Sequence, residues 1–122
     1  MTKNLLWSDE LALNEPLMDK THQEFIELLT EVQNASDDIL LARWETLVAH
    51  TTDHFGREDR WMLETNFAAS NCHTSQHTIV LDILRQGTEK GLAGDLSMIR
   101  QLATELVTWF PMHTDAMDAA LA

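Results

Sequence analysis

From residue 19 onward, apolar side chains recur three and four positions apart through most of the chain, the spacing of one buried helical face. In the first such segment His22, Phe25, Ile26, Leu29 and Val32 share a stripe. Asp19 is its expected N-cap, because a carboxylate there accepts from the unpaired N–H groups of the first turn. Asn34-Ala35-Ser36-Asp37-Asp38 interrupts the pattern. A second helix is predicted from about Ile39 to Glu64, with Trp44, Leu47, Val48, Thr51, His54, Phe55, Glu58, Trp61 and Met62 facing inward. His50 falls nearer the edge of that stripe, and Gly56 lies on the far side. Thr65–Ala69 reads as a connection. Ser70 is the expected cap of a third helix running to about Gln86 and stopped by Gly87, with His73, His77, Val80, Leu81 and Leu84 inside. Residues 87–94 carry three of the four glycines and read as a loop. Asp95 then caps a fourth helix whose stripe is Ile99, Leu102, Leu106, Trp109, Phe110 and His113.

No segment has a convincing strand pattern. Four amphipathic helices with short connections predict an all-α, up-down-up-down antiparallel four-helix bundle. The turn residues Asn14-Glu15-Pro16 mark residues 1–18 as an N-terminal extended arm, which Trp7 packs onto the body. The expected organisation is one domain over residues 1–122, with the arm at 1–18 and the bundle at 19–122. A chain of 122 residues holds one core and not two.

Composition narrows the function. The formal charge is −12, which argues against nucleic acid or an anionic membrane surface as partner, since both need clustered Lys and Arg. No apolar run is long enough to span a bilayer, and the first residues lack the apolar stretch of a secretory signal. The cytoplasm is the expected compartment. Cys72 is the only cysteine, so no intrachain disulfide forms. An ordinary helix-edge thiol is favoured there over a redox or ligating role beside His73.

The polar residues inside the stripes change the picture most. His54 and Glu58 are about 400° apart around a helix, so they project from one face, one turn apart. His73 and His77 repeat that spacing, and His22 and His113 occupy the stripes of the first and fourth helices. One such histidine is more often a hydrogen-bonded core residue than a ligand. Five of the six histidines in four apolar stripes are different, because five neutral imidazoles would each need partners in an apolar core. A shared metal site satisfies them together. Asp118 follows His113 by five residues, about 500° of rotation, so a regular helix would point the two about 140° apart. Pro111, which removes the hydrogen bond to the Val107 carbonyl, is expected to kink the helix just before His113. Five imidazoles and two carboxylates exceed what one zinc needs. They suit two transition metals bridged by carboxylates, which bundle cores are known to host.

With these residues in place the chain resembles the bacterial hemerythrins along nearly its whole length. The resemblance rests on Leu6-Trp7-Ser8-Asp9-Glu10, Met18-Asp19-Lys20-Thr21-His22, His54-Phe55-Gly56-Arg57-Glu58 with Met62, His73-x-x-x-His77, and Trp109-x-x-x-His113 followed by Asp118. It implies a non-haem, oxo- or hydroxo-bridged di-iron centre. One iron would be held by His73, His77 and His113. The other would be held by His22 and His54 and keep an open position for O2, with Glu58 and Asp118 bridging the pair. The implied function is reversible O2 binding for storage, delivery or buffering, by a monomer whose protein partner is unknown. Ile26, Phe55, Met62, Trp109 and Phe110 would line the oxygen site, with Phe25 and Trp61 as plain core packing. Phe110 follows Trp109 where relatives commonly carry Leu, and Pro111 is unusual inside the last helix, so oxygen access and the position of His113 would differ. Two other functions use the same centre: a redox enzyme reducing peroxide or nitric oxide, with His50 or Cys72 assisting, and an O2- or redox-sensing module.

Overall fold

The computed structural model describes residues 16–64 and 70–113. They form α1 (Pro16–Asn34), α2 (Asp37–Glu64), α3 (Ser70–Leu92) and α4 (Leu96–His113). Helices adjacent in sequence pack together, and α4 closes against α1 and α2. The four-helix bundle expected from periodicity is the observed architecture. Among the described residues there is no strand, and no helix long and apolar enough to cross a membrane.

The helix ends correct three expectations. First, α1 begins at Pro16 and not at an Asp19 cap. Proline suits the first helical turn because its missing N–H would be unpaired there anyway. Asp19 sits inside the first turn, where its carboxylate still meets the positive end of the helix dipole. Residues 16–18, assigned to the arm by sequence, are therefore helical, and the rest of the arm with Trp7 lies outside the described residues. Second, α2 starts at Asp37, two residues before Ile39. The Ile39 N–H donates to the Ser36 carbonyl at 3.1 Å, and the Ser36 hydroxyl is bonded to the Asp38 carboxylate.

The third correction is larger. α3 passes through Gly87 and continues to Leu92, so most of the expected loop is helix. Gly87 and Gly91 are both buried and lie one turn apart on a contact face. A Cβ on Gly87 would stand 2.7 Å from Leu102 Cδ1 and 3.0 Å from Trp44 Cζ2, and one on Gly91 would stand 2.5 Å from Ile99 Cδ1. These glycines permit close helix contact; they do not end the helix. The stop is Gly94, whose φ of 95° is the left-handed conformation that favours glycine. Its N–H reaches the Gly91 carbonyl at 3.0 Å, and the Asp95 N–H reaches the Lys90 carbonyl at 2.8 Å, the paired bonds of a Schellman end. Asp95 then caps α4 as expected: its carboxylate accepts from Ser97 Oγ at 2.6 Å and from the Met98 N–H at 3.4 Å. α4 continues through Pro111 to His113.

One half of the bundle is an apolar core of Leu40, Trp44, Leu47, Leu84, Ile99 and Leu102 with Leu29 and Val32. Trp44 is fully buried, and its indole N–H donates to Thr88 Oγ1 at 3.1 Å. The other half holds the histidines. His22 lies near the start of α1, His54 and Glu58 near the end of α2, His73 and His77 near the start of α3, and His113 ends α4. These residues come together in one cluster. That is possible only if successive helices run in opposite directions.

Candidate metal centre

Glu58 is the hub. Its side chain is 1% exposed, and His22, His54, His73, His77 and His113 are equally buried. The two carboxylate oxygens face different ways. Oε2 contacts His54 Nε2 and lies 3.9 Å from His22 Nε2. Oε1 lies 3.2 Å from His73 Nε2 and 3.4 Å from His77 Nε2. The donor atoms thus fall into two groups that share Glu58: one of His22, His54 and Glu58, the other of Glu58, His73, His77 and His113, each with its atoms within 4.8 Å of one another. Burial pushes the Glu58 carboxyl up, but the imidazoles of His22, His54, His73 and His77 around it outweigh burial and hold it well below the usual carboxylate range.

This donor set fits a pair of cations. A buried carboxylate offers one oxygen to each of two nitrogen groups. Among the described residues, His77 Nε2 and Glu58 Oε1, both screened from water, meet no well-directed hydrogen-bond partner, although buried polar atoms ordinarily have one. A cation seated between them would supply the missing interaction. Nitrogen and oxygen donors without thiolate suit iron, manganese or zinc more than soft metals.

Aromatic rings hold the imidazoles in place. Phe55 stacks on His77 with centroids 3.9 Å apart and planes 6° from parallel. Trp109 stacks on His113 at 4.4 Å. Phe110 meets the His22 ring edge-on at 5.3 Å and stacks on Phe25 at 4.5 Å. Ile26, Phe55, Met62 and Phe110 are all buried, whereas Trp109 is half-buried. Trp109 also borders an apolar cleft of about 210 Å³ between α3 and α4, lined by Leu84, Leu102 and Leu106 among others. Phe25 joins the core as expected, and Trp61 is half-buried.

Of the residues singled out by sequence, the structure brings together His22, His54, Glu58, His73, His77 and His113. Asp118 lies outside the described residues, and so does the Cys72 side chain. His50 sits beside the cluster, its ring 6.4 Å from that of His54. Burial, then the neighbouring His54, lowers the pKa of its imidazole below the usual histidine value.

Two residues to which the sequence assigns no role, Asp59 and Gln76, support the site. The Nδ1 of His77 bonds Asp59 Oδ1 at 2.8 Å, and Asp59 also accepts from Thr74 Oγ1 at 3.3 Å. The Nδ1 of His113 bonds Gln76 Oε1 at 3.0 Å. Arg57 donates to Thr21 Oγ1 at 3.2 Å, tying α2 to α1 beside His22. Asp59 and Gln76 each directly adjoin a cluster residue in sequence, but on a helical wheel they point off the apolar stripe. Only the neighbouring helix reveals their partners.

The fold and the site define a helical bundle with a buried histidine–carboxylate centre suited to cations. The chain matches the model of the hemerythrin HHE cation-binding domain over residues 15–122, and it belongs to that family. It is 36% identical over 112 residues to the bacteriohemerythrin of Ralstonia nicotianae, covering 92% of this chain and 82% of that protein. It is 25% identical over 122 residues to the bacteriohemerythrin of Stenotrophomonas maltophilia, covering 97% of this chain and 79% of that protein. No solved structure matches the chain at a significant level.

Proposed function

We propose that the chain is a single hemerythrin-like domain that holds a di-iron centre and binds O2 reversibly. The observation that carries this reading is the division of donors around Glu58, with His73, His77 and His113 on one side and His22 and His54 on the other. In the proposed assignment the first set holds one iron and the second set holds the other. Glu58 would be shared between them, with Asp118 joining it on the strength of the family resemblance. The three-histidine side is the more fully ligated, so the two-histidine side is where O2 would bind.

When bound, the irons supply the electrons that reduce O2 reversibly. The protein's part is to arrange and to exclude. Glu58 keeps both oxygens available because the imidazoles around it favour its ionised form. Phe110, packed against His22, narrows the space beside the two-histidine set. Phe110, Ile26, Phe55 and Met62 keep the surroundings apolar, which limits proton access and favours release of O2 over irreversible oxidation. Family membership supports an O2-binding protein over an enzyme in the same way.

The test is a visible spectrum with iron quantification. The protein is reduced under argon, exposed to oxygen and flushed again. The expected result is two irons per chain and a colour that appears with oxygen and fades on flushing. Irreversible passage to an oxidised state would reject reversible O2 binding and favour a redox enzyme or sensor.

A further inference from the structure

His77 and His113 belong to the same donor group, yet their outer nitrogens meet different chemistry. His77 Nδ1 bonds a carboxylate, Asp59 Oδ1, at 2.8 Å. His113 Nδ1 bonds a neutral amide, Gln76 Oε1, at 3.0 Å. The Asp59 carboxylate only accepts, which favours the proton on His77 Nδ1, and Gln76 Oε1 favours the same tautomer of His113, so that Nε2 is left as the electron-pair donor toward the cluster. Asp59 is itself held by Thr74 Oγ1 and is one-third exposed. Phe55 and Trp109 fix the planes of the two rings, so neither imidazole easily turns away from its acceptor.

We propose that Asp59 and Gln76 are positioning residues of unequal strength, which make His77 the stronger donor and His113 the weaker one, and so set the affinity and reduction potential of the metal on the three-histidine side. This rests on the reading of the cluster as a metal centre. The physical reason is charge. An anionic acceptor pulls the Nδ1 proton toward itself and raises the electron density at Nε2, which a neutral amide does less. A stronger donor favours the more highly charged metal and lowers its reduction potential. Asp59 therefore favours the oxidised state, while the neutral Gln76 amide contributes less of that bias through His113.

Two near-isosteric variants test this in opposite directions. Asp59→Asn keeps an oxygen acceptor but removes the charge. Gln76→Glu adds a charge where the wild type has none. In iron-loaded protein, Asp59→Asn is expected to raise the reduction potential and Gln76→Glu to lower it. Zinc affinity, read by chelator competition without any redox chemistry, is expected to fall about tenfold in Asp59→Asn and to rise in Gln76→Glu. A residue that only supported the fold would weaken both variants alike. Shifts of the same sign in the two variants, or none in either, overturn the proposal. Imidazole nitrogen NMR of the metal-free wild type adds a readout that needs no metal. The proton of His77 is expected on Nδ1, and an unprotonated Nδ1 overturns the proposal. If Asp59→Asn fails to fold, Gln76→Glu decides alone. Failure to bind any metal would end the di-iron reading, whereas bound metal with unshifted potentials would end only this one.

Discussion

The two halves of the bundle are built on opposite rules. Around Trp44, Leu40 and Ile99 the interior is apolar, and the Trp44 indole N–H has a partner in Thr88. Gly87 and Gly91 let α3 approach so closely that a methyl group would collide. At the other end the same four helices enclose five imidazoles and a carboxylate, all nearly free of solvent contact. An apolar core stabilises the chain unaided. A buried polar cluster costs stability unless something compensates it. The apolar half carries the fold, and the histidine half spends part of that stability on a site that a cation completes.

This contrast can be broken by experiment. Trp44→Ala should destabilise the protein by about 3–5 kcal/mol, by the same amount with and without metal, as read by denaturant unfolding. A cost that depended on metal would mean the halves are not separable. Glu58→Ala should act the other way. Its main effect should be on metal content, which should fall relative to the wild type by elemental analysis, and any stabilisation by metal should be largely lost. Gly87→Val should cost about 1–3 kcal/mol through overpacking against Leu102 and Trp44 while leaving metal stoichiometry unchanged. The smallest effect should come from the surface. Arg100 donates to Asp37 at 2.6 Å and to the Ala35 carbonyl at 3.0 Å, but both charged side chains are well exposed. Arg100→Ala should cost under about 1 kcal/mol and become neutral to salt.

Periodicity alone made much of this molecule readable. The inward stripes of all four helices were correct to within a few half-buried residues such as Val48, Trp61 and Trp109. His22, His54, Glu58, His73, His77 and His113 stood out because a polar residue in an apolar stripe breaks a local rule, and such breaks collect at functional sites. The end of α3 is not legible in the same way. Glycine signals a loop by composition, yet Gly87 and Gly91 are small because Trp44, Leu41, Leu102 and Ile99 press against them from other helices.

What a residue does along its own helix is thus written in local spacing, since 3.6 residues per turn fixes which side chains share a face. What it meets on another helix is not. The reach of Glu58 to His22, His73 and His77, the Asp59 and Gln76 bonds behind His77 and His113, and the Phe55 and Phe110 rings against His77 and His22 join residues on different helices. They exist only once the helices are packed, because packing sets the distances of a few ångströms on which hydrogen bonds and metal ligation depend.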